Sequence, residues 1–492
     1  MTMLDQQRQD AIRTAVWNAC DLFHGICAPG DSKDFLMAML LLKYISDIAQ
    51  AHASLIHEHS TSPRFLVPRG SSFYDLYATK HQSGNGQRID EALYAIEETN
   101  VELQGLRQVV SFNAAALGSL EQKDRLLFQL LDAFNVNALD FREIHENSAE
   151  AAANACDLLI KYVAEFSGKW GVDFFTPPEI SQLIARLMQP KDGETISDPC
   201  CGSGSLLITC SQMARQKSGR EGCTLFGQEK NGSTWALAKM NMVMHGEIQY
   251  QLEWGDTLRD PKLLTADGHL RKYEIVVSSP PFSLKDWGHA TAEQDVYQRY
   301  HRGVPPRMSG DYAFISHMIE TLKPGNGRMA AVVSHGVLFR SAAERQIREQ
   351  LLRENVIDAV IALPPKMFAH TGISVAILVV RKDKVDDNVL FIDASRSYQH
   401  GKTQNVLRQA DLDLIEGTYR SRHDVSRYAR LVTHAEIAAN DFNLSVARYV
   451  DATEVEMEVN LNALRAERAH LKAELMSLEA KLATLLEKIG HA

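Results

Sequence analysis

Four short stretches of this sequence combine residue types that could hold a nucleotide-like cofactor and present an amine to it. The first is Asp198-Pro199-Cys200-Cys201-Gly202-Ser203-Gly204-Ser205-Leu206, which follows the β-branched run Thr195-Ile196-Ser197 and opens a helical pattern. Gly202 and Gly204 permit a tight turn and let a ligand lie close against backbone. A strand, a glycine loop and a helix in a parallel sheet form the usual seat of nucleotide-like cofactors. The loop lacks the Gly-Lys-Ser/Thr ending of a phosphate-binding P-loop. It also lacks GxGxxG spacing, which argues against a dinucleotide.

The second stretch, Gly227-Gln228-Glu229, ends the next strand pattern about 30 residues on, where an acidic side chain accepts from ribose hydroxyls. The third is Gly255-Asp256-Thr257-Leu258, after another short strand, where Asp256 is placed to accept from an adenine amino group. The fourth decides the class of chemistry. A buried strand ending at Ser278 runs into Ser279-Pro280-Pro281-Phe282. Two successive prolines stiffen the backbone and remove two donors. The carbonyls of Ser279 and Pro280 are left to accept from outside, and Phe282 offers a ring to stack on a flat ligand. Together these make a receptor for an exocyclic amine on a nucleobase. Lys285, Arg299, His301, Arg302 and Arg307 follow, and are candidates for phosphate contacts.

The elements that must position these residues can be read from periodicity. From about Gly168, β-branched runs alternate with helical patterns: 195–197, 224–226, 274–277, 329–333, 357–363, 375–380 and 389–392. That alternation predicts an α/β fold, a parallel sheet with helices on both faces. Residues 1–150 read as a helical N-terminal domain, with helical spacing over 4–23, 35–48, 89–96 and 122–135 and a loop over 60–87. The catalytic α/β domain is expected over 151–396, and an extension of short helices and loops over 397–452. In the last segment, 453–492, Leu461, Leu464, Arg468, Leu471, Leu475, Leu478, Leu482, Leu485 and Ile489 recur three and four apart. Only Arg468 breaks the apolar seam of this heptad helix, which calls for a partner helix.

The chain has 492 residues and a formal charge of −10, with 45% apolar and 23% charged residues. This is globular composition, and it excludes a free-standing, strongly basic nucleic-acid binder. Seven scattered cysteines without a CxxC pair predict reduced thiols and no structural metal site. The N-terminal residues have no apolar core of a signal peptide, and no stretch approaches the ~20 apolar residues of a membrane span. The expectation is a soluble, cytoplasmic protein.

In combination these motifs resemble those of S-adenosylmethionine-dependent, amino-group DNA methyltransferases. More closely, the chain resembles the modification subunit of type I restriction-modification systems. The likeness is carried by the glycine loop, the Pro-Pro-Phe motif, Leu41-Leu42-Lys43-Tyr44-Ile45-Ser46-Asp47, Asp173-Phe174-Phe175-Thr176-Pro177 and Asp393-Ala394-Ser395-Arg396. It implies a Rossmann-like methyltransferase sheet, with Asp173, Phe174, Phe175, Thr176 and Pro177 joining Asp198, Gly202, Ser203, Gly204, Ser205, Glu229 and Asp256 around S-adenosylmethionine. Ser279, Pro280, Pro281 and Phe282 would receive the target amine, with no metal. The implied partners are double-stranded DNA, a specificity subunit that reads its sequence, a second modification subunit and, as an optional member, a restriction subunit. The implied activity is methylation of adenine N6. One departure stands out: the family usually carries Asn where this chain has Ser279. That keeps two alternatives open, a cytosine-N4 methyltransferase and a catalytically weak assembly subunit.

Overall fold

The computed structural model describes residues 3–55, 64–106, 110–142, 146–166, 175–219, 222–369, 372–451 and 461–488. Six helices come first: α1 (Met3–Asp21), α2 (Pro29–Leu55), α3 (Phe73–Ala78), α4 (Asn85–Thr99), α5 (Leu120–Phe134) and α6 (Glu146–Phe166). Capping boxes fix two of their starts, Ser72 with Asp75 at α3 and Ser119 with Gln122 at α5. The centre of α2 is apolar nearly all round, and Leu36 to Ile45 is buried within the bundle.

The motif Leu41 to Asp47 owes its form to a buried ion pair inside α2. Lys43 and Asp47 face each other one turn apart. The Asp47 carboxylate also accepts from the Tyr74 hydroxyl at 2.6 Å and from the Phe141 amide at 2.9 Å. Three chain segments are thereby tied to one fully buried carboxylate.

The rest of the larger unit is a nine-stranded sheet with its helices. In chain order these are α7 (Pro178–Met188), β1 (Thr195–Asp198), α8 (Ser205–Ser218), β2 (Thr224–Glu229), α9 (Gly232–Met244), β3 (Tyr250–Trp254), β4 (Ile275–Ser278), α10 (Asp311–Glu320) and β5 (Arg328–Ser334). Then follow α11 (His335–Phe339), α12 (Ala343–Arg353), β6 (Ile357–Ala362), β7 (Val375–Arg381), β8 (Asn388–Asp393), α13 (Gln409–Ser421), β9 (Ala429–Thr433) and α14 (His434–Ala439). The strand order is β3-β2-β1-β4-β5-β7-β6-β8-β9. Helices α7, α8 and α13 share an apolar core with one face, and α10, α12 and α14 with the other. The order reverses between β1 and β4, and the crevice outside the carboxyl ends of strands at such a switch point is where open α/β sheets bind ligands.

Three expectations need correction. The sheet is mixed, since β7 runs antiparallel to both β5 and β6. The segment joining β6 to β7 contains no helix among its described residues, so the strand returns beside its predecessor as a hairpin does. The region after 396 is not only helix and loop, because β9 closes the sheet antiparallel to β8. Finally, α6 crosses the boundary expected at 150: Ala151 to Ala164 bury their apolar face in the N-terminal core. That core also takes in Ala236, Leu237, Met240, Val243 and Met244 of α9, so the helical bundle packs directly on the sheet's own helix layer.

The last helix belongs to a separate unit. This helix, α15 (Leu461–Lys488), exposes Leu471, Leu475, Leu478, Leu482 and Leu485, each by more than half.

Asp47→Ala should lower the unfolding free energy by about 3–5 kcal/mol, because it leaves the buried Lys43 ammonium without its counter-ion, facing the Tyr74 hydroxyl at 3.3 Å. Urea denaturation of the purified chain measures this, and a loss under 1 kcal/mol would mean the pair is not structurally needed.

Candidate active site

Asp198 ends β1 and is buried, 2% exposed. Its Oδ1 accepts from the Cys200 amide at 2.9 Å, which shapes the start of the glycine loop. The same oxygen accepts from the Ser278 hydroxyl at 2.7 Å, at the end of the neighbouring β4. The loop and the diproline motif are thus fastened to one another across the switch point. Burial pushes the Asp198 carboxyl up to about 7, against the pull of these two hydrogen bonds. The adjoining thiols of Cys200 and Cys201 are pushed far above their ordinary range, first by burial and then by the nearby carboxylates. This disfavours the thiolate form that a nucleophilic cysteine needs.

The glycine turn is held from the side. Gly202 (φ 52°) and Gly204 (φ 76°) both adopt left-handed backbone. The Gly202 amide donates to Glu229 Oε2 at 3.1 Å, and the Asn231 amide to Glu229 Oε1 at 2.7 Å. Glu229 therefore sits against the loop at the mouth of β2. The Ser203 and Ser205 hydroxyls bond to each other at 2.9 Å. Asn241 of α9 braces both residues, donating to the Ser203 carbonyl at 2.8 Å and the Ser205 hydroxyl at 3.4 Å. Asp256 lies on the same rim: Gly255 donates to the Glu229 carbonyl at 2.9 Å, and Thr257 to the Pro199 carbonyl at 2.6 Å. Its carboxylate caps its own turn, accepting from the Leu258 and Arg259 amides, and pairs with Lys230 at 2.9 Å.

Ser279 and Phe282 are half-buried and Pro280 is buried. Among the described residues, no hydrogen bond ends on the Ser279 or Pro280 carbonyl oxygen, and none uses the Ser279 hydroxyl. The Phe282 ring meets Phe368 edge-on, with centroids 5.8 Å apart and planes at 85°. Phe368, in the β6–β7 connection, was not foreseen. The signal for it was a second strand ending in prolines and an aromatic, Leu363-Pro364-Pro365-Lys366-Met367-Phe368.

Not every candidate belongs to the site. Arg299 is buried and pairs with Asp295 at 2.7 Å, and Arg302 is buried between Glu320 and Glu354, each 2.7 Å away. Their charges are spent inside the protein, which removes both as phosphate contacts. Asp173 and Phe174 lie outside the described residues. Pro177 is buried at the N-cap of α7. Phe175 packs on the N-terminal core. Phe175 and Thr176 line a cavity of about 250 Å³ between α1, α6 and α8, which meets the glycine loop only at Ser205.

Known proteins share this arrangement. Residues 147–458 match the N-6 DNA methylase family model, and residues 12–134 match the HsdM N-terminal domain model. The MpnII type I methylase subunit of Mycoplasma pneumoniae is 26% identical over 98% of this chain and 97% of its own length. The MjaVIII type I methylase subunit of Methanocaldococcus jannaschii is 30% identical over 84% of this chain and 72% of its own. The crystal structure of a type I restriction-modification methyltransferase subunit from Streptococcus thermophilus superimposes with a TM-score of 0.82 at 28% identity, covering 90% of this chain and all of that one. The chain therefore belongs to the N-6 DNA methylase family, and within it to the modification subunits of type I restriction-modification systems. These matches do not favour the cytosine alternative raised by Ser279.

The state of Asp198 has a measurable consequence. The folded carboxyl keeps its proton up to about 7, while the unfolded one releases it near 3.8. The folded state binds more protons in between, so stability falls as pH rises through that window. Asp198→Asn keeps the Oδ1 acceptor and removes the titration. The wild-type melting temperature should drop more than the variant's between about pH 4 and pH 7. Parallel profiles in thermal melts would show that this carboxyl ionises freely.

Proposed function

We propose that this subunit transfers a methyl group from S-adenosylmethionine to the N6 amine of an adenine in double-stranded DNA, at a sequence read by a separate specificity subunit. The residues fit the cofactor. Gly202 and Gly204 keep side chains away from the turn, and a Cβ at Gly204 would come within 3.0 Å of the Met242 Cε. Glu229 is the acceptor proposed for the ribose hydroxyls and Asp256 for the adenine amine, with Asp198, Ser203 and Ser205 holding the turn in shape. Phe175, Thr176 and Pro177 are assigned to the pocket wall beside them. When bound, the cofactor supplies an electrophilic methyl carbon on a sulfonium centre.

The protein's own contribution is to hold and orient the amine. The target nitrogen's lone pair is delocalised into the base and is a poor nucleophile. The Pro280 carbonyl and the Ser279 hydroxyl oxygen accept its two N–H bonds, favour a pyramidal nitrogen and direct the lone pair toward the methyl carbon. Positioning of this kind supplies much of the acceleration. Pro281 stiffens the shelf, and Phe282 stacks on the base after it leaves the helix, offsetting part of a cost of a few kcal/mol. The observation that carries this reading is the set of acceptors on Ser279 and Pro280, which no described residue engages, yet which are fastened through Ser278 to the glycine loop.

The partners are inferred. The leucine stripe of α15 suits a helix of the specificity subunit, with a second copy of this chain completing the clamp and a restriction subunit able to join. No helix among the described residues is long and apolar enough to cross a membrane, and the cytoplasm, where the DNA is, is the proposed site of action.

Labelled S-adenosylmethionine should bind the chain, and transfer to DNA should require the co-expressed specificity subunit. Nuclease digestion and mass analysis should then find N6-methyladenine; N4-methylcytosine in its place would refute the assignment. Phe282→Ala should slow transfer roughly 5- to 150-fold, the equivalent of ~1–3 kcal/mol of stacking, with cofactor affinity unchanged. Equal losses of both would contradict the stacking role.

A further inference from the structure

The segment from Ser283 to Gly310 links the diproline motif to α10, and its only helical turn among the described residues is the 3₁₀ stretch His289–Gln294. It folds against the Asp256 turn and encloses a groove of about 870 Å³. Arg259, Lys285, His289, Tyr297, Tyr300 and Arg307 are among its walls.

The groove is built, not accidental. Trp287 is 2% exposed, its indole donates to the Pro306 carbonyl at 2.9 Å, and its ring meets Tyr300 at 5.5 Å. Gly310 donates to the Leu284 carbonyl at 2.9 Å, and a Cβ there would come within 2.8 Å of Trp287. Arg299 locks the segment to the Asp256 turn, donating to the Thr257 and Leu258 carbonyls at 3.1 and 2.8 Å.

The cations of the groove divide into two kinds. Arg299 is spent on Asp295, and Arg259 on Asp286. Lys285 and Arg307 are exposed, and among the described residues neither takes part in a hydrogen bond or ion pair. Two uncommitted cations facing one groove are notable in a chain of net charge −10, whose overall field repels a polyanion. Lys285, on the groove wall, also lies three residues beyond Phe282, the end of the motif assigned to the extruded base.

We infer that this groove takes the sugar–phosphate backbone of the DNA strand beside the extruded nucleotide, with Lys285 and Arg307 as its phosphate contacts. The inference rests on the methyltransferase reading above. Such contacts set position and carry no sequence information. Each releases counterions, so each contributes about 0.9 to the slope of log affinity against log salt on duplex DNA, and about 0.7 on a single strand.

The test uses the full chain co-expressed with its specificity subunit. Binding to cognate and scrambled duplexes is measured between about 50 and 200 mM salt. K285A/R307A should weaken both duplexes alike and make the slope shallower by about 1.4–1.8. K285R/R307K should restore the wild-type slope, and cofactor affinity of both variants should match wild type, which reports an intact fold. An unchanged slope in K285A/R307A, alongside a wild-type complex that methylates DNA, overturns the groove assignment alone. A loss of affinity confined to the cognate duplex also overturns it, as would lost cofactor affinity. A wild-type complex that binds cofactor and never methylates DNA overturns both readings.

Discussion

One oxygen holds the site together. Asp198 Oδ1 receives the amide that begins the glycine loop and the hydroxyl that ends β4. The two motifs lie about eighty residues apart in the chain, and only the sheet's reversal between β1 and β4 makes them neighbours. Because the carboxyl is buried, neither partner competes with water, and a shift of either strand end would leave a desolvated group unpaired. The relative position of the glycine turn and the diproline segment is thus set by hydrogen bonds to this one buried oxygen.

Around that bond the rim is assembled from backbone more than from side chains. Gly202, Gly255 and Cys201 donate amides to the end of β2, and Thr257 reaches the Pro199 carbonyl. Packing from outside then immobilises it, with α9 offering Asn241 on the inner side and its apolar face to the N-terminal bundle. The helical bundle therefore bears on the glycine turn through α9, and the buried Lys43–Asp47 pair, which stiffens the bundle's central helix, acts at the far end of that chain of contacts.

Much of this arrangement was legible in the sequence because the residues that form it are concentrated at strand ends. Glycines, prolines and acids following β-branched runs are local signals, and they marked Asp198, Gly202, Glu229 and the diproline shelf. What escaped was non-local. Arg299 and Arg302 read as solvent-facing cations, yet carboxylates one turn away or on distant helices neutralise them inside the protein. The direction of β7 escaped because Val375 to Val380 is apolar throughout, and a strand buried on both faces carries no mark of its orientation. β9 escaped because Ala429–Thr433 is a short edge strand with mixed burial, which composition does not separate from a loop.

The reversed strand has an architectural yield. A parallel successor to β6 would have sent the chain through a crossover to the opposite end of the sheet before it could return. With β7 turned round, the β6–β7 connection begins and finishes at the same end, so Phe368 is delivered beside Phe282 by a segment anchored at both feet. The segment is no free loop between those feet: Met367 and Phe368 are buried in the core shared with α7 and α8, and Asn405 donates to the Pro365 and Lys366 carbonyls at 2.7 and 2.9 Å, so the wall beside the diproline segment is continuous with the sheet's own packing.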